Sequence, residues 1–291
     1  MKLLICPDSK DVREYVERGV DAFLFGMDHF SVNMLSLTLT EIKQFRKNYP
    51  DCALFVSFNK NIFPEELEQV EQLLCEFSHL SLAGILFYDL ALVRLNEKLQ
   101  LHLPLVWNQT HMVVNHNACN FYYDHGVSMG VMASEITVPE IVEIASSSSM
   151  KFIVPMVGYP IMAHSRRKLL SNYFKFIQEE KKKMRYHLQE KHGKLDLYSE
   201  EDATGTTFYF GSVLNGTKAF FELQEVIEYA LFYEKGIQHE QFLKMVELYQ
   251  EMMQRSSFSQ EEKEYYIRKA TDILGSNYTG FFFQKTIYKV K

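Results

Sequence analysis

The stretch ALFVSFNKNIFPEELEQVEQLLCEFSHLSLAGILFYDLALVRL, residues 53–95, decides the fold. Ala53–Phe58 and Gly84–Tyr88 are short, almost unbroken apolar runs. Continuous rather than alternating hydrophobicity marks strands buried on both faces, as in a parallel sheet flanked by helices. Pro64–Phe77 and Leu90–Leu99 read as helices, one after each strand. Upstream, Leu3–Cys6 and Ala22–Gly26 are strands. Ser9 is the expected cap of a helix over Lys10–Arg18 that Gly19 ends, and Thr38 or Thr40 caps a helix over Thr38–Tyr49 that Pro50 stops. Downstream come the strand Leu105–Trp107, a helix around His116–His125, and the strand Ser128–Met132. Val138–Ala145 follows as a helix capped by Thr137 with Pro139 and Glu140 in its first turn, and then the strand Phe152–Met156. Seven β-then-α units in order predict an α/β protein of the TIM-like (β/α) barrel type. The alternative is a flavodoxin-like or Rossmann sheet, but no G-x-G-x-x-G follows the first strand.

Beyond residue 160 the pattern changes. Ser165–Gln189 is basic and reads as helical, with KKKMR at 181–185. Leu195–Leu214 reads as a β-hairpin around the turn-like EEDATG, and Phe220–Tyr229 as a helix. Ala230–Glu234 is the expected eighth strand, followed by helices over His239–Gln254 and Gln260–Leu274 and by a strand-like or docking tail, GFFFQKTIYKVK. The expected organisation is a barrel core over 1–160, an insertion over 161–229, and the last strand with C-terminal helices and tail over 230–291. The insertion leaves open whether the barrel is interrupted or incomplete.

The 291 residues are 47% hydrophobic and 23% charged, with 23 Phe and 17 Tyr, enough for one large aromatic-rich core. The net charge of −6 lacks the global basic footprint of a dedicated nucleic-acid binder, so DNA is not an expected partner. An RNA contact requires a local basic patch or a basic partner. The opening MKLLICPDSK has no signal-peptide character, and no run reaches the length of a membrane span, which implies a cytoplasmic protein without membrane partners. Cys6, Cys52, Cys75 and Cys119 show no C-x-x-C spacing and sit in apolar contexts, as reduced buried thiols do, so no metal site is expected.

Parallel barrels carry function at the C-terminal ends of their strands. Polar residues there are Asp28, His29, Asn59, Asp89, Asn108, Gln109, Glu135 and the loop His164-Ser165-Arg166-Arg167. Asn108 and Gln109 either hydrogen-bond a ligand or tie down their loop. Glu135 is a general base or a helix cap. Arg166, Arg167 and Lys168 hold a phosphate or form a solvated loop or subunit contact. KKKMR is a solvated helix face or an RNA-backbone contact. Neither G-x-S-x-G nor H-E-x-x-H is present. Ser171 with His164 is an imaginable nucleophile–base pair, whereas Cys119 does not converge with His116 or His125 on their helix.

Seven segments in order, GVDAFLFGMDHFS (19–31), LFVSFNKNIFPEEL (54–67), LAGILFYDLALVRL (82–95), WNQT (107–110), ASEITVPEIVEIA (133–145), GYPIMAHSRRKLLSNYF (158–174) and TGFFFQKT (279–286), resemble the collagenase-like U-32 peptidase family. The last segment is similar to a short Gram-positive branch of it. In that family the seventh strand is followed by His-Gly, two cysteines flanking Ser-Gly-Arg, and Leu-Leu-Ser-Asn-Tyr. Here Gly158, Ser165, Arg167 and Leu169–Tyr173 match, Val157 stands at the His position, and Ile161 and Lys168 stand at the cysteine positions. A third family cysteine falls within Phe174–Arg185 and a fourth near Phe220, where this chain has none. Asn108-Gln109 stands where relatives have Ser/Thr-Gln, and Ser134-Glu135 where they have Arg-Glu. The resemblance implies hydroxylase relatives that hold an iron–sulfur cluster on four thiolates, and a chain that lacks them and binds no such cofactor. It implies an accessory subunit in tRNA wobble-uridine hydroxylation, partnered by a four-cysteine paralogue and tRNA. A peptidase or hydrolase working without a cluster is the alternative.

Overall fold

The computed structural model describes residues 1–109, 111–189 and 196–284. Eight parallel strands form the frame: Lys2–Cys6, Ala22–Met27, Ala53–Phe58, Gly84–Phe87, Leu105–Trp107, Val127–Val131, Lys151–Gly158 and Tyr229–Tyr233. Each pairs with the next in parallel register, for example Leu24 opposite Phe55 and Val56 opposite Ile85. The eighth strand pairs with both the seventh and the first, Leu4 lying opposite Leu231, and Ile5 opposite Phe23 links the first strand to the second. The sheet is therefore a closed (β/α)8 barrel, despite the long insertion before its last strand.

Why the strands are apolar throughout is visible in their two faces. Leu4, Leu24, Phe55, Leu86, Val106, Met129, Ile153 and Leu231 fill the barrel interior. Their neighbours Leu3, Phe23, Val56, Ile85, Leu105, Phe152 and Phe232 pack outward beneath the helices. Alternation is present, but both faces are dry, so the sequence shows no polar period. Phe55 meets Tyr229 across the interior at 5.2 Å between ring centroids. Gly84 makes room for it, since a Cβ there would lie 2.6 Å from the Phe55 ring.

The helices begin where their caps dictate. Thr38 and Thr137 form capping boxes with Glu41 and Glu140, starting Leu39–Asn48 and Val138–Ser146, and Ser259 with Glu262 starts Gln260–Leu274. The first helix is shorter than expected, Arg13–Glu17, and its cap position is Val12 without a side-chain bond, not Ser9. Pro64–Glu66 forms a 3-10 turn ahead of Leu67–Phe77.

The insertion departs most from expectation. It holds a four-stranded antiparallel sheet in the order Arg185–Gln189, Asp196–Asp202, Gly205–Phe210, Ile161–Ser165, with one helix, Leu169–Phe176, following Ile161–Ser165 in the chain. The expected helix over Ser165–Gln189 is thus only this short segment, and KKKMR runs from a loop into the Arg185 strand rather than along a helix. His164 and Ser165 lie in a strand, not in a loop. Asp202–Gly205 makes the hairpin turn, where Gly205 adopts φ +142° and a Cβ would overlap the Ser165 carbonyl. Leu214 pairs back onto Gly158, so the chain leaves and rejoins the seventh strand at one place. The helix Thr217–Leu223 ends before Tyr229, which opens the eighth strand. Of the tail, Phe282 is buried and its carbonyl accepts from the Val138 N–H, whereas residues 285–291, like Thr110 of WNQT, lie outside the described residues.

Candidate functional site

The C-terminal mouth of the barrel is laced loop to loop. Asn59, after the third strand, reaches back to the loop of the second: its Oδ1 accepts from Val32 N–H at 2.8 Å and its Nδ2 donates to Val32 O at 2.9 Å. Asp89, after the fourth strand, accepts from Ile62 N–H in the third loop and from Ala91 N–H, both at 2.9 Å. Gln109, after the fifth, donates to the Tyr88 carbonyl at 2.6 Å and accepts from Trp107 Nε1–H at 2.9 Å. Glu234, after the eighth strand, accepts from Asp8 N–H in the first loop at 2.7 Å. Asn59, Asp89 and Gln109, singled out as binding residues, thus have their hydrogen-bonding groups engaged in holding neighbouring loops in register. Asn108 is 9% exposed and continues the interior-facing phase of Val106. Ser57, in the phase of Phe55, is fully buried with an unpartnered Oγ, while its carbonyl accepts from the Ser31 hydroxyl.

Over this mouth lies the inserted sheet. Thr206 and Thr207 are successive on one strand and point to opposite faces. Thr207 donates to Asn33 in the second barrel loop, so its face is the one turned to the barrel. The same face carries Tyr198, whose ring meets Tyr159 at 5.7 Å, and Glu200, which pairs with Arg185 at 3.2 Å and with Lys235 of the eighth loop at 3.6 Å. Arg166 stacks over Phe63 of the third loop at 4.4 Å. The roof is therefore fastened to the second, third and eighth loops. Its inner face is charged: Arg185 and Glu200 confront Asp8, Lys235 and Glu234. Partial burial, with the Glu234 and Glu200 carboxylates, raises the Asp8 carboxyl above its ordinary range, against the pull of Lys235 and Arg185.

His164 is the most suggestive group beneath the roof. Thr207 gives its hydroxyl proton to Asn33 Oδ1, so its oxygen accepts from His164 Nδ1–H at 2.9 Å. That chain fixes the tautomer and leaves Nε2 as a bare lone pair, which is buried and unpartnered. Burial lowers the ring's pKa, so the imidazole is neutral at neutral pH. Nearby Tyr209 also has a buried hydroxyl without a partner.

Ser171 is on the other side of the sheet. Its hydroxyl and N–H both donate to Glu201, which also accepts from Lys181 at 2.8 Å and Thr206 at 3.0 Å. The carboxylate is 3% exposed, and although burial alone would raise it, Lys181, Ser171 and Thr206 hold its pKa down to about 2. Ser171 and His164 are thus separated by the thickness of the sheet and do not form a nucleophile–base pair. Ser171 pins the helix Leu169–Phe176 to the roof. Glu135 faces His111 at 3.3 Å, and the capping carboxylate of the helix after it is Glu140. Ser165 accepts from Arg167 N–H at 3.2 Å, whereas the Arg167 side chain is exposed, as is His29, which pairs with half-buried Asp28 at 3.4 Å.

The two positions, Ile161 and Lys168, and the two stretches, beginning at Phe174 and around Phe220, where the resemblance places cluster thiolates carry other chemistry. Ile161 is 40% exposed on the edge strand, Lys168 donates to the Asp202 carbonyl, Phe174 stacks on Tyr186 at 4.9 Å, and Phe220 is buried against Tyr249 at 5.4 Å. The cysteines present are spread over a strand (Cys6), a loop (Cys52) and two different helices (Cys75 and Cys119). Burial raises the Cys6 thiol to about 12 and the Cys119 thiol to about 11, which opposes the thiolate form. This donor set does not fit an iron–sulfur cluster. Among the described residues no group of three or more His, Cys, Asp or Glu is placed to hold a metal ion.

Sequence reasoning missed Asn33, Ser57, Thr207, Tyr209, Glu200 and Arg185. Glu234 directly follows the eighth strand and Asp8 lies two residues after the first, so both carried the same positional signal as Asn59. The roof residues had none, because their position depends on how the insertion folds.

A closed parallel barrel whose C-terminal mouth is roofed by an inserted sheet defines the class. Residues 8–289 match the family model of peptidase family U32, and the chain belongs to that family. A curated relative, tRNA hydroxylation protein P2 of Bacillus subtilis (strain 168), is 24% identical over 310 residues, covering 99% of each chain. Among solved structures, an enolase-superfamily member from Listeria innocua Clip11262 shows 11% identity and a TM-score of 0.39 over 53% of this chain and 43% of its own. A second, from Enterococcus faecalis V583, shows 13% identity and a TM-score of 0.37 over the same shares. Likenesses so weak carry no argument; the barrel rests on its strand pairing. No helix among the described residues is long and apolar enough to cross a membrane.

Proposed function

We propose that this chain is a cluster-free, non-catalytic subunit in tRNA wobble-uridine hydroxylation, working in the cytoplasm beside a four-cysteine member of the same family. The observation that carries the reading is the presence of Ile161 and Lys168 at two thiolate positions, and of no cysteine within Phe174–Arg185 or near Phe220, in a chain that matches the family over residues 8–289. The full-length likeness to a tRNA hydroxylation protein supports a role in tRNA modification. The engagement of Asn59, Asp89 and Gln109 in loop lacing supports a scaffold role for the mouth, with Asn108, Ser57 and His164 left to meet a polar ligand.

Co-expression of this chain with the four-cysteine relative, followed by size-exclusion chromatography and mass spectrometry of tRNA nucleosides from a deletion strain, tests it. A stable complex and loss of wobble hydroxyuridine are expected. Independent elution of the two proteins together with unchanged hydroxyuridine refutes it. Cleavage of gelatin or a broad peptide panel by the isolated chain, lost on a point substitution between His164 and Ser171, would establish the competing hydrolase reading instead.

A further inference from the structure

Charge is unevenly distributed along this chain. Residues 161–189 contain eight Lys and Arg against two Glu, a net of +6 within a protein of net −6. Inside that segment some cations are engaged: Lys181 with Glu201, Arg185 with Glu200, Arg166 over Phe63 and Lys168 on a carbonyl. Arg167, Lys175, Lys182 and Lys183 are exposed and have no ion-pair partner among the described residues.

These free cations share a surface with exposed aromatic rings. Phe176 is 85% exposed and Tyr173 57%, and the two lie one turn apart on the helix Leu169–Phe176. Tyr173 touches Phe174 at 5.5 Å between centroids, Phe174 stacks on Tyr186 at 4.9 Å, and the Tyr186 hydroxyl accepts from Lys183 N–H at 2.9 Å. This chain of contacts ties rings and lysines into one patch. Ser171 anchors the same helix to Glu201, on the face of the sheet turned away from the barrel, so the patch looks outward rather than into the chamber.

We propose that this outer face of the inserted module binds unpaired RNA nucleotides, the lysines and Arg167 holding phosphates and Phe176 and Tyr173 stacking on bases. Charge complementarity selects a polyanion, and free ring faces select bases that are not already stacked in a duplex. A protein partner with an apolar surface would meet four uncompensated cations here. The inference rests on the tRNA reading above and adds where, and through which chemistry, the RNA is held.

Fluorescence anisotropy with a labelled anticodon stem-loop RNA tests it on the full chain, alone and with the four-cysteine relative. Lys175→Ala/Lys182→Ala/Lys183→Ala is expected to weaken binding at least tenfold and to flatten the salt dependence of log K by about 2 units, three contacts at roughly 0.7 each. Phe176→Ala is expected to weaken binding about tenfold with the salt slope unchanged, and to leave affinity for a fully paired RNA duplex unaltered. All of these side chains are exposed, and thermal melting checks that the variants fold. Unchanged affinity in both variants overturns the inference. So does loss of association with the relative while RNA affinity is retained, which would make the face a protein interface. If wobble hydroxyuridine persists in the deletion strain, the functional reading fails whatever the RNA affinities. If it is lost while both variants bind normally, only the location fails.

Discussion

Asp89 shows how a single side chain ahead of a barrel helix sets the shape of a mouth. Its two oxygens take N–H groups from Ile62 and Ala91, one in the preceding loop and one at the start of its own helix. Asp89→Ala leaves both donors without acceptors in a half-buried setting, and a loss of about 1–3 kcal/mol is expected. Urea unfolding checks it: the midpoint falls at constant slope. Asp89→Asn retains one acceptor and falls between. His239 gives a second outcome with a defined direction. The Glu234 carboxylate, 2.6 Å from Nδ1, raises the His239 pKa, with partial burial opposing and Glu14 assisting. A folded pKa above the unfolded one means that the stabilisation is complete below the ordinary value of 6.5 and fades as pH rises through the folded pKa. His239→Asn is therefore expected to cost more stability at about pH 5.5 than at about pH 8.5. Paired melting curves at the two values decide it, and an equal or reversed cost removes the Glu234–His239 pair as the cause.

At the scale of elements, the roof depends on one buried carboxylate. Glu201 joins the helix Leu169–Phe176, Lys181 and Thr206 to the sheet. Its folded pKa of about 2 lies below the ordinary 4.5, so its contribution is complete above 4.5 and is lost as pH falls towards 2. Glu201→Gln is expected to loosen that helix by about 1–3 kcal/mol at neutral pH. Hydrogen exchange should show faster exchange at Ser171 and Leu169 in the variant, with the difference shrinking in acid. Equal protection at neutral pH would show that the helix is held by its apolar face instead. The roof is also where sequence reading stopped. The barrel strands and the helices after Thr38, Thr137 and Ser259 were legible because dry faces and capping boxes write themselves locally. Ile161–Ser165 was not, since Ile161, Met162 and Ala163 are exposed and the strand is fixed by pairing with Gly205–Phe210 more than forty residues away. KKKMR looked helical from charge alone, although Met184 is 63% exposed and Arg185 is already in a strand. Asn59, Asp89 and Gln109 were found by position, but whether such groups serve a ligand or a loop is decided by partners some twenty to thirty residues away.

The whole molecule is a barrel that closes without help from what covers it. The insertion leaves at Gly158 and returns at Leu214, which pair directly across an antiparallel step. Such partners sit about 5 Å apart, a gap that a two-residue hairpin turn spans. The eighth strand reaches its place through its own pairings with the first and seventh strands, Leu231 opposite Leu4 and Ala230 opposite Val154. Of the fastenings between roof and barrel, the Thr207–Asn33 hydrogen bond, the Lys235–Glu200 ion pair and the Arg166–Phe63 stack are polar or partly exposed contacts of small net worth. The interior layer from Leu4 to Leu231 contributes far more, since each fully buried large apolar side chain is worth about 1.5–3 kcal/mol. Replacing residues 159–213 with a Gly-Gly turn is therefore expected to leave a chain that still melts in one cooperative transition, with barrel amides protected, while the half-buried Asn33 and Lys235 become solvent-exposed. The same chain is expected to lose affinity for the anticodon stem-loop, because the Lys175–Lys183 surface is gone. Calorimetry and hydrogen exchange separate the two consequences. A broad, non-cooperative melt would show that the roof is part of the barrel's folding unit, and that the mouth has no shape of its own without it.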